Sequence, residues 1–246
     1  MPSIYHDNLP GSIFHDKSDS NDAFANMTFS ILARDPETGA IGGAAATGSL
    51  CVGGWVLRGV AGVGMSASQG KAPSTLWGEN ALARLARHKS AGEALDAVVA
   101  PDRGKSQRQL SILDVSGAGA VFSGEDNTPA IGHRVFEGGV AAGNMLAAAE
   151  VIDAMVDHFL AVTGPFPTRL LAALGAAQQA GSDIRGLESA ALLVLSPKHA
   201  PLSLRVDLSD DPLCALQALH DRATTGDYAR WAGRVPTLSD PERRLD

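Results

Sequence analysis

Cysteine is scarce: the chain holds Cys51 and Cys214, far apart and in no metal-ligand or redox spacing. That excludes a disulfide framework or a zinc knuckle as the organising element, and two buried thiols in a reducing compartment are expected. Basic charge is short as well. With 20 Lys+Arg against 27 Asp+Glu and a net charge of −7, no broad positive field exists to attract a phosphate backbone, so nucleic acid is not an expected partner. No segment supplies the roughly 20 consecutive apolar residues of a spanning helix, so no membrane partner is expected. The first 26 residues hold Asp7, Asp16, Asp19 and Asp22 without a continuous apolar stretch, so they do not read as a secretory signal, and the expected location is cytoplasmic. Asn26-Met27-Thr28 has the letters of a glycosylation acceptor, but without export it would not meet that machinery.

Familiar catalytic and cofactor signatures are missing too. There is no Gly-x-Ser-x-Gly elbow, no His-Glu-x-x-His and no paired-cysteine knuckle. Gly64 to Ala72 approaches a P-loop, but five residues separate Gly64 from Gly70-Lys71, and Ala72 stands where magnesium needs a hydroxyl. Gly62-Val63-Gly64-Met65-Ser66-Ala67 satisfies the letters of the dinucleotide fingerprint. Ser68 to Pro73 follows it instead of a helix, so a glycine-rich sheet edge is the better reading. No cofactor and no metal are expected.

What is present is a chain of 246 residues, 45% apolar, long enough to bury about 70% of its unfolded surface in one large domain. Three regions are expected: a polar arm over 1–27, a core over 28–225 and an irregular tail over 226–246. A polar arm is either a disordered tail or a segment held by a partner subunit, and the second reading implies a homo-oligomer. From Thr28 the texture changes. Thr28 to Arg34 and Ala40 to Ala46 read as a hairpin around the turn residues Asp35-Pro36-Glu37-Thr38-Gly39. Val52 to Leu57 and Val60 to Ser68 are further short apolar runs. Four strands are thus expected before any helix.

Leu76, Ala83 and Leu85 begin a helical pattern. Ser90-Ala91-Gly92-Glu93 is a capping box that opens a second helix with Ala94, Leu95, Val98 and Val99 on its apolar face. Gln109 to Val115 and Gly119 to Ser123 form a strand pair, and Gly138 to Ala142 a strand leading into a Gly143-Asn144 turn. Val151, Ile152, Met155, Phe159 and Leu160 have helical spacing, and Leu170, Leu171 and Leu174 start another helix after Pro165 and Pro167. Ser189 to Leu195 and Leu202 to Val206 are late strands, and Asp211-Pro212 starts a final helix. Strands and paired helices in alternation predict an α+β fold in which helices cover both faces of stacked, mainly antiparallel sheets. Of the histidines, His133 stands out in Gly132-His133-Arg134, whereas His88, His158 and His220 fit helix surfaces or termini.

Taken in order, several fragments are recognisable together. They are Thr28-Phe29-Ser30-Ile31-Leu32-Ala33-Arg34-Asp35-Pro36-Glu37-Thr38-Gly39, Gly62-Val63-Gly64 with Gln69, Arg108-Gln109-Leu110, Gly132-His133-Arg134, Gly143-Asn144-Met145-Leu146, and Arg185-Gly186 with Ser189 to Val194. From Thr28 to His220 this chain resembles the bacterial domain-of-unknown-function family 1028. The resemblance implies the four-layer αββα sandwich of N-terminal-nucleophile (Ntn) hydrolases, the architecture of proteasome subunits and several amidases. If the chemistry came with the fold, Thr28 would be the nucleophile, its free α-amine, with an ordinary pKa near 8, would be the base, and Asn144 would help hold the oxyanion. Gln69, Arg108, Gln109, His133, Arg134 and Arg185 would bind a small amide or related acyl substrate.

The chain departs from that pattern in two ways. Residue 27 acylates the Thr28 nitrogen, which has no basicity until that bond is absent. The returning strand carries Ala44, Ala45 and Ala46 where proteasome subunits suggest an Asp and a Lys, and the nearest basic residue is Arg58. A non-catalytic small-molecule-binding or assembly protein on the same fold is therefore the alternative.

Overall fold

The computed structural model describes residues 27–181 and 186–245. The polar arm before Met27 and Arg185 lie outside the described residues. The expected hairpin forms as β1 (Thr28–Arg34) and β2 (Ile41–Thr47), with Thr28 opposite Thr47 and Arg34 opposite Ile41. Its turn is held by the Asp35 carboxylate, which accepts from the Thr38 hydroxyl at 2.5 Å and the Thr38 N–H at 3.3 Å.

Between the sheets the chain expected to continue as strand instead turns through α1 (Val52–Trp55) before β3 (Leu57–Val60) and β4 (Gly64–Gln69). The reason is topological: β2 belongs to one sheet and β3 to the other, so the apolar run must cross over. Then come α2 (Thr75–Leu85), α3 (Ala91–Val99), β5 (Gln109–Asp114) and β6 (Gly119–Ser123). β7 (Ala130–Phe136), β8 (Gly139–Leu146), α4 (Glu150–Ala161) and α5 (Phe166–Gln179) follow, and β9 (Ser189–Leu195), β10 (Leu202–Val206) and α6 (Pro212–Ala223) complete the layers. The segment expected to be an irregular tail begins with α7 (Gly226–Ala232), where Asp227 in the first turn and Arg230 in the last suit the helix dipole.

One sheet has six strands in the order β10-β9-β2-β1-β8-β7, the other four in the order β3-β4-β5-β6, and every pairing is antiparallel. α4 and α5 cover the outer face of the larger sheet, α2 and α3 that of the smaller. The result is a four-layer αββα sandwich of two antiparallel sheets between helical pairs. Alternation along β1 divides its side chains cleanly. Met27, Phe29, Ile31 and Ala33 pack in the core beneath α4 and α5, while Leu32 joins the cluster between the sheets. Each fully buried large apolar side chain contributes about 1.5–3 kcal/mol. The small residues of β2 serve this close stacking. A Cβ on Gly42 would lie 2.7 Å from Phe166 Cε1, and one on Gly43, on the opposite face, 2.6 Å from Leu32 Cδ2.

The Gly143-Asn144 turn is not formed, because β8 runs through both residues to Leu146. Gly143 is needed for packing: a Cβ there would sit 2.8 Å from Ile152 Cδ1. Asn144 is held by a partner across the sandwich. Leu76 and Leu160 lie on the outer faces of their helices, 63% and 50% exposed. The thiols are free and less buried than expected, Cys51 half-buried and Cys214 exposed, while His220 lies in the last turn of α6, a helix terminus as expected, and is buried there.

Candidate active site

Thr28 opens β1 at one end of the sandwich, facing the second sheet, and is 9% exposed. Its hydroxyl lies 2.9 Å from that of Thr47, its partner in β2. The Thr47 hydroxyl also donates to the Met27 carbonyl at 2.9 Å. A hydroxyl has one hydrogen, so in the Thr28–Thr47 bond Thr28 is the donor. The Gly48 N–H reaches the same Met27 oxygen at 3.2 Å. Two donors therefore converge on the carbonyl of the peptide bond that joins Met27 to Thr28.

Beside this pair the space between the sheets is polar. Ser30, two residues on and on the same face, donates to Gln69 Oε1 at 2.7 Å. Gln69 Nε2 donates to Gln109 Oε1 at 2.8 Å, to the Ala142 carbonyl at 3.2 Å and to the Thr28 carbonyl at 3.4 Å. Gln109 Nε2 donates to Ser123 Oγ at 2.8 Å and to the Gly143 and Gly132 carbonyls at 3.0 and 3.3 Å. Ser123 Oγ lies 3.1 Å from His133 Nδ1, so the network reaches an exposed imidazole on β7. Asn144 pairs with Thr28 in the β1/β8 register. Its nitrogen donates to Gln109 Oε1 at 3.1 Å, while its Oδ1 is buried without a hydrogen-bond partner among the described residues. An unmet buried acceptor costs about 1–3 kcal/mol.

Of the expected site residues, Thr28, Gln69, Gln109 and Asn144 are thus brought together, with His133 linked through Ser123. Two arginines are not. Arg108 leaves its neighbour Gln109 to point away, donating from Nε to Asp102 Oδ2 at 2.9 Å and from Nη1 to the Ala72 carbonyl at 2.5 Å, with its guanidinium 5.8 Å from the Trp77 ring centroid. Burial pushes the Asp102 carboxyl upward, but the Gly104 N–H, Arg108 and the Trp77 indole outweigh it and hold the group below its ordinary range. Arg134 faces α4 and pairs with Asp157 at 2.7 Å and Asp153 at 3.3 Å. Its pKa is raised, chiefly by the Asp157 hydrogen bond. Arg58 pairs with Glu79 on α2 at 3.7 Å.

Thr47, Gly48 and Ser123 were not singled out from the sequence. Counting outward from the Asp35–Gly39 turn puts Ala46 opposite Thr28; Ala40 belongs to the turn as well, which moves the register by one and brings Thr47 there, and Ser123 ends a strand that was expected. The side-chain partners in this network from Thr28 to Ser123 are all uncharged. Among the described residues no group of three His, Cys, Asp or Glu side chains could hold a metal ion, and no helix is long and apolar enough to cross a membrane. A cavity of about 1010 Å³ opens near Asp35, at the far end of β1 from Thr28.

Residues 28–216 match the family described as Family of unknown function (DUF1028). Among solved structures, protein SPO2555 from Silicibacter pomeroyi, of that family, is 54% identical, with 89% of this chain and 96% of that one covered and a TM-score of 0.86. Eukaryotic HslV from Trypanosoma brucei is 12% identical, with 68% of this chain and 98% of that one covered, at a TM-score of 0.43. No curated protein matches the chain.

Proposed function

The chain belongs to the DUF1028 family, and from that premise we propose that it is an N-terminal-nucleophile hydrolase of a small amide or related acyl substrate, with Thr28 as its nucleophile. The observation that supports this reading best is the pair of donors, Thr47 Oγ1 and the Gly48 N–H, on the carbonyl next to the Thr28 hydroxyl. Where Met27 is absent, those donors are released to an incoming acyl carbonyl. The Thr28 α-amine, no longer acylated, takes the hydroxyl proton as Oγ1 bonds to the carbonyl carbon. Negative charge develops on the carbonyl oxygen, where preorganised donors stabilise it most. The C–N bond then breaks, the protonated amine returns its proton to the leaving group, and water cleaves the remaining ester.

Asn144 was expected to donate to the oxyanion. Its nitrogen is engaged by Gln109 and its unengaged atom is Oδ1, so we assign it the opposite role, accepting an N–H from the Thr28 ammonium or the substrate amide. The test compares a chain beginning at Thr28 with its Thr28→Ala variant on a panel of small amides. Turnover by the first alone supports the reading, and equal turnover removes Thr28 from the mechanism.

A second reading, a non-catalytic binding or assembly protein, is favoured by one observation: the Met27 side chain is fully buried among the residues beneath α4 and α5. Intact mass of the protein from its native source separates the two. A mass beginning at Thr28 supports the hydrolase, and retention of Met27 supports the alternative.

A further inference from the structure

At the end of the six-stranded sheet remote from Thr28, three connections meet: the Asp35–Ala40 turn of the first hairpin, the loop between α4 and α5, and the turn between β9 and β10. Six residue steps along β1 put this place about 20 Å from Thr28. They line the open cavity of about 1010 Å³, ample for a small organic ligand. Leu160, Val162, Phe166 and Leu202 make part of its lining apolar.

The charged groups of this lining are unevenly committed. Asp35 is spent on the turn, where it accepts from Thr38 twice. Arg169, in the first turns of α5, lies with its guanidinium carbon 4.5 Å from the Phe159 ring centroid and donates from Nη2 to the Phe159 carbonyl at 3.3 Å. Its Nε is buried with no hydrogen-bond partner among the described residues. No carboxylate among the described residues pairs with Arg169 or with Lys198, an exposed cation in the facing turn next to His199. The cavity also lies against Pro165 and Phe166, where the positive end of the 14-residue α5 begins. Exposed Glu37 stands on the same lining and disfavours a second negative charge.

We propose that this cavity binds an amphipathic monocarboxylate, with the carboxylate held by Arg169 and Lys198 and the hydrocarbon laid along Leu160, Phe166 and Leu202. An anchored guanidinium on an aromatic face is preorganised for a planar acid, and the apolar lining rewards a chain more than a bare ion. The assignment is independent of Thr28 and its nitrogen.

The probe is decanoate, titrated calorimetrically into the full chain at neutral pH and low salt, with decanol, decylamine and inorganic phosphate as comparisons. Saturable binding of one decanoate, at least about tenfold tighter than the other three, is expected, since a hydrogen bond to a charged group is worth about tenfold or more in affinity. Lys198→Gln and Arg169→Gln should each weaken decanoate about tenfold and leave decanol unchanged. Lys198 is exposed, so its variant reads the site even where the Arg169 variant does not fold. Absence of saturable binding, equal affinity for acid, alcohol and amine, tighter binding of phosphate, or an unaffected Lys198→Gln protein would each overturn the proposal.

Discussion

Gln69 Nε2 donates to Gln109 Oε1 across 2.8 Å, an orientation fixed for both amides by the Ala142 and Gly143 carbonyls, which can only accept and so draw each nitrogen toward them. Gln109 Oε1 also accepts from Asn144, while its nitrogen serves Ser123 and two backbone carbonyls. Gln109→Leu would leave several buried donors and acceptors unmet at about 1–3 kcal/mol each, partly relieved by relaxation. A loss of about 3 kcal/mol or more is expected in urea unfolding. A loss under about 1 kcal/mol would mean that the two sheets are not pinned by this layer.

Thr47→Val deletes the hydroxyl that accepts from Thr28 and donates to the Met27 carbonyl, with little change of shape. On the hydrolase reading, a Thr28-initiated chain carrying Thr47→Val should lose about 10²–10³ in kcat, the usual cost of one oxyanion donor. Thr47→Ser should recover most of it, because the hydroxyl is restored. A Thr47→Val enzyme with unchanged kcat would remove Thr47 from the site.

Much of this architecture was legible. The Asp35–Gly39 turn announces the first hairpin, and β9 and β10 run between the expected residues because each is a short apolar stretch bounded by loop residues. Gln69, Gln109 and Asn144 came only from the family resemblance, as substrate-binding or oxyanion groups, and the layer they form between the sheets was not announced by the chain itself. What failed was direction. Arg108 and Gln109 are adjacent, as are His133 and Arg134, and neighbours in extended chain point to opposite faces, so each pair could send only one member inward. Thr47 was hidden for another reason: an ordinary hydroxyl carries no chemical signature until the register shows what stands opposite.

At the start of α3 the Ser90 hydroxyl accepts from the Glu93 N–H while the Glu93 carboxylate accepts from the Ser90 N–H. Ser90→Ala should cost about 1 kcal/mol. The Ser90 N–H, together with Lys89 and the Ser90 hydroxyl, lowers the Glu93 pKa from 4.5 to about 2. A carboxyl depressed in the folded state stabilises above its unfolded pKa and loses that contribution as pH falls through the folded value. Amide exchange in α3 should therefore accelerate between about pH 4.5 and 2, beyond the intrinsic dependence, and Glu93→Gln should flatten the excess. The same excess in Glu93→Gln would assign it to another group.

Two glycine substitutions should move stability in opposite directions. Gly42 lies on β2 directly under α5, where an added Cβ would come 2.7 Å from Phe166 Cε1 and 2.8 Å from Leu170 Cδ1. Ring and methyl both belong to buried residues with little room to retreat, so Gly42→Ala should destabilise by about 1–3 kcal/mol, the usual cost of overpacking. Gly92 lies within α3, where an added Cβ would have nothing within 4 Å, so alanine there restores helix propensity at no steric cost. Gly92→Ala should stabilise by about 0.5–1 kcal/mol. Paired thermal melts read the contrast, and a Gly42→Ala protein as stable as the parent would show that α5 can lift from the sheet without loss.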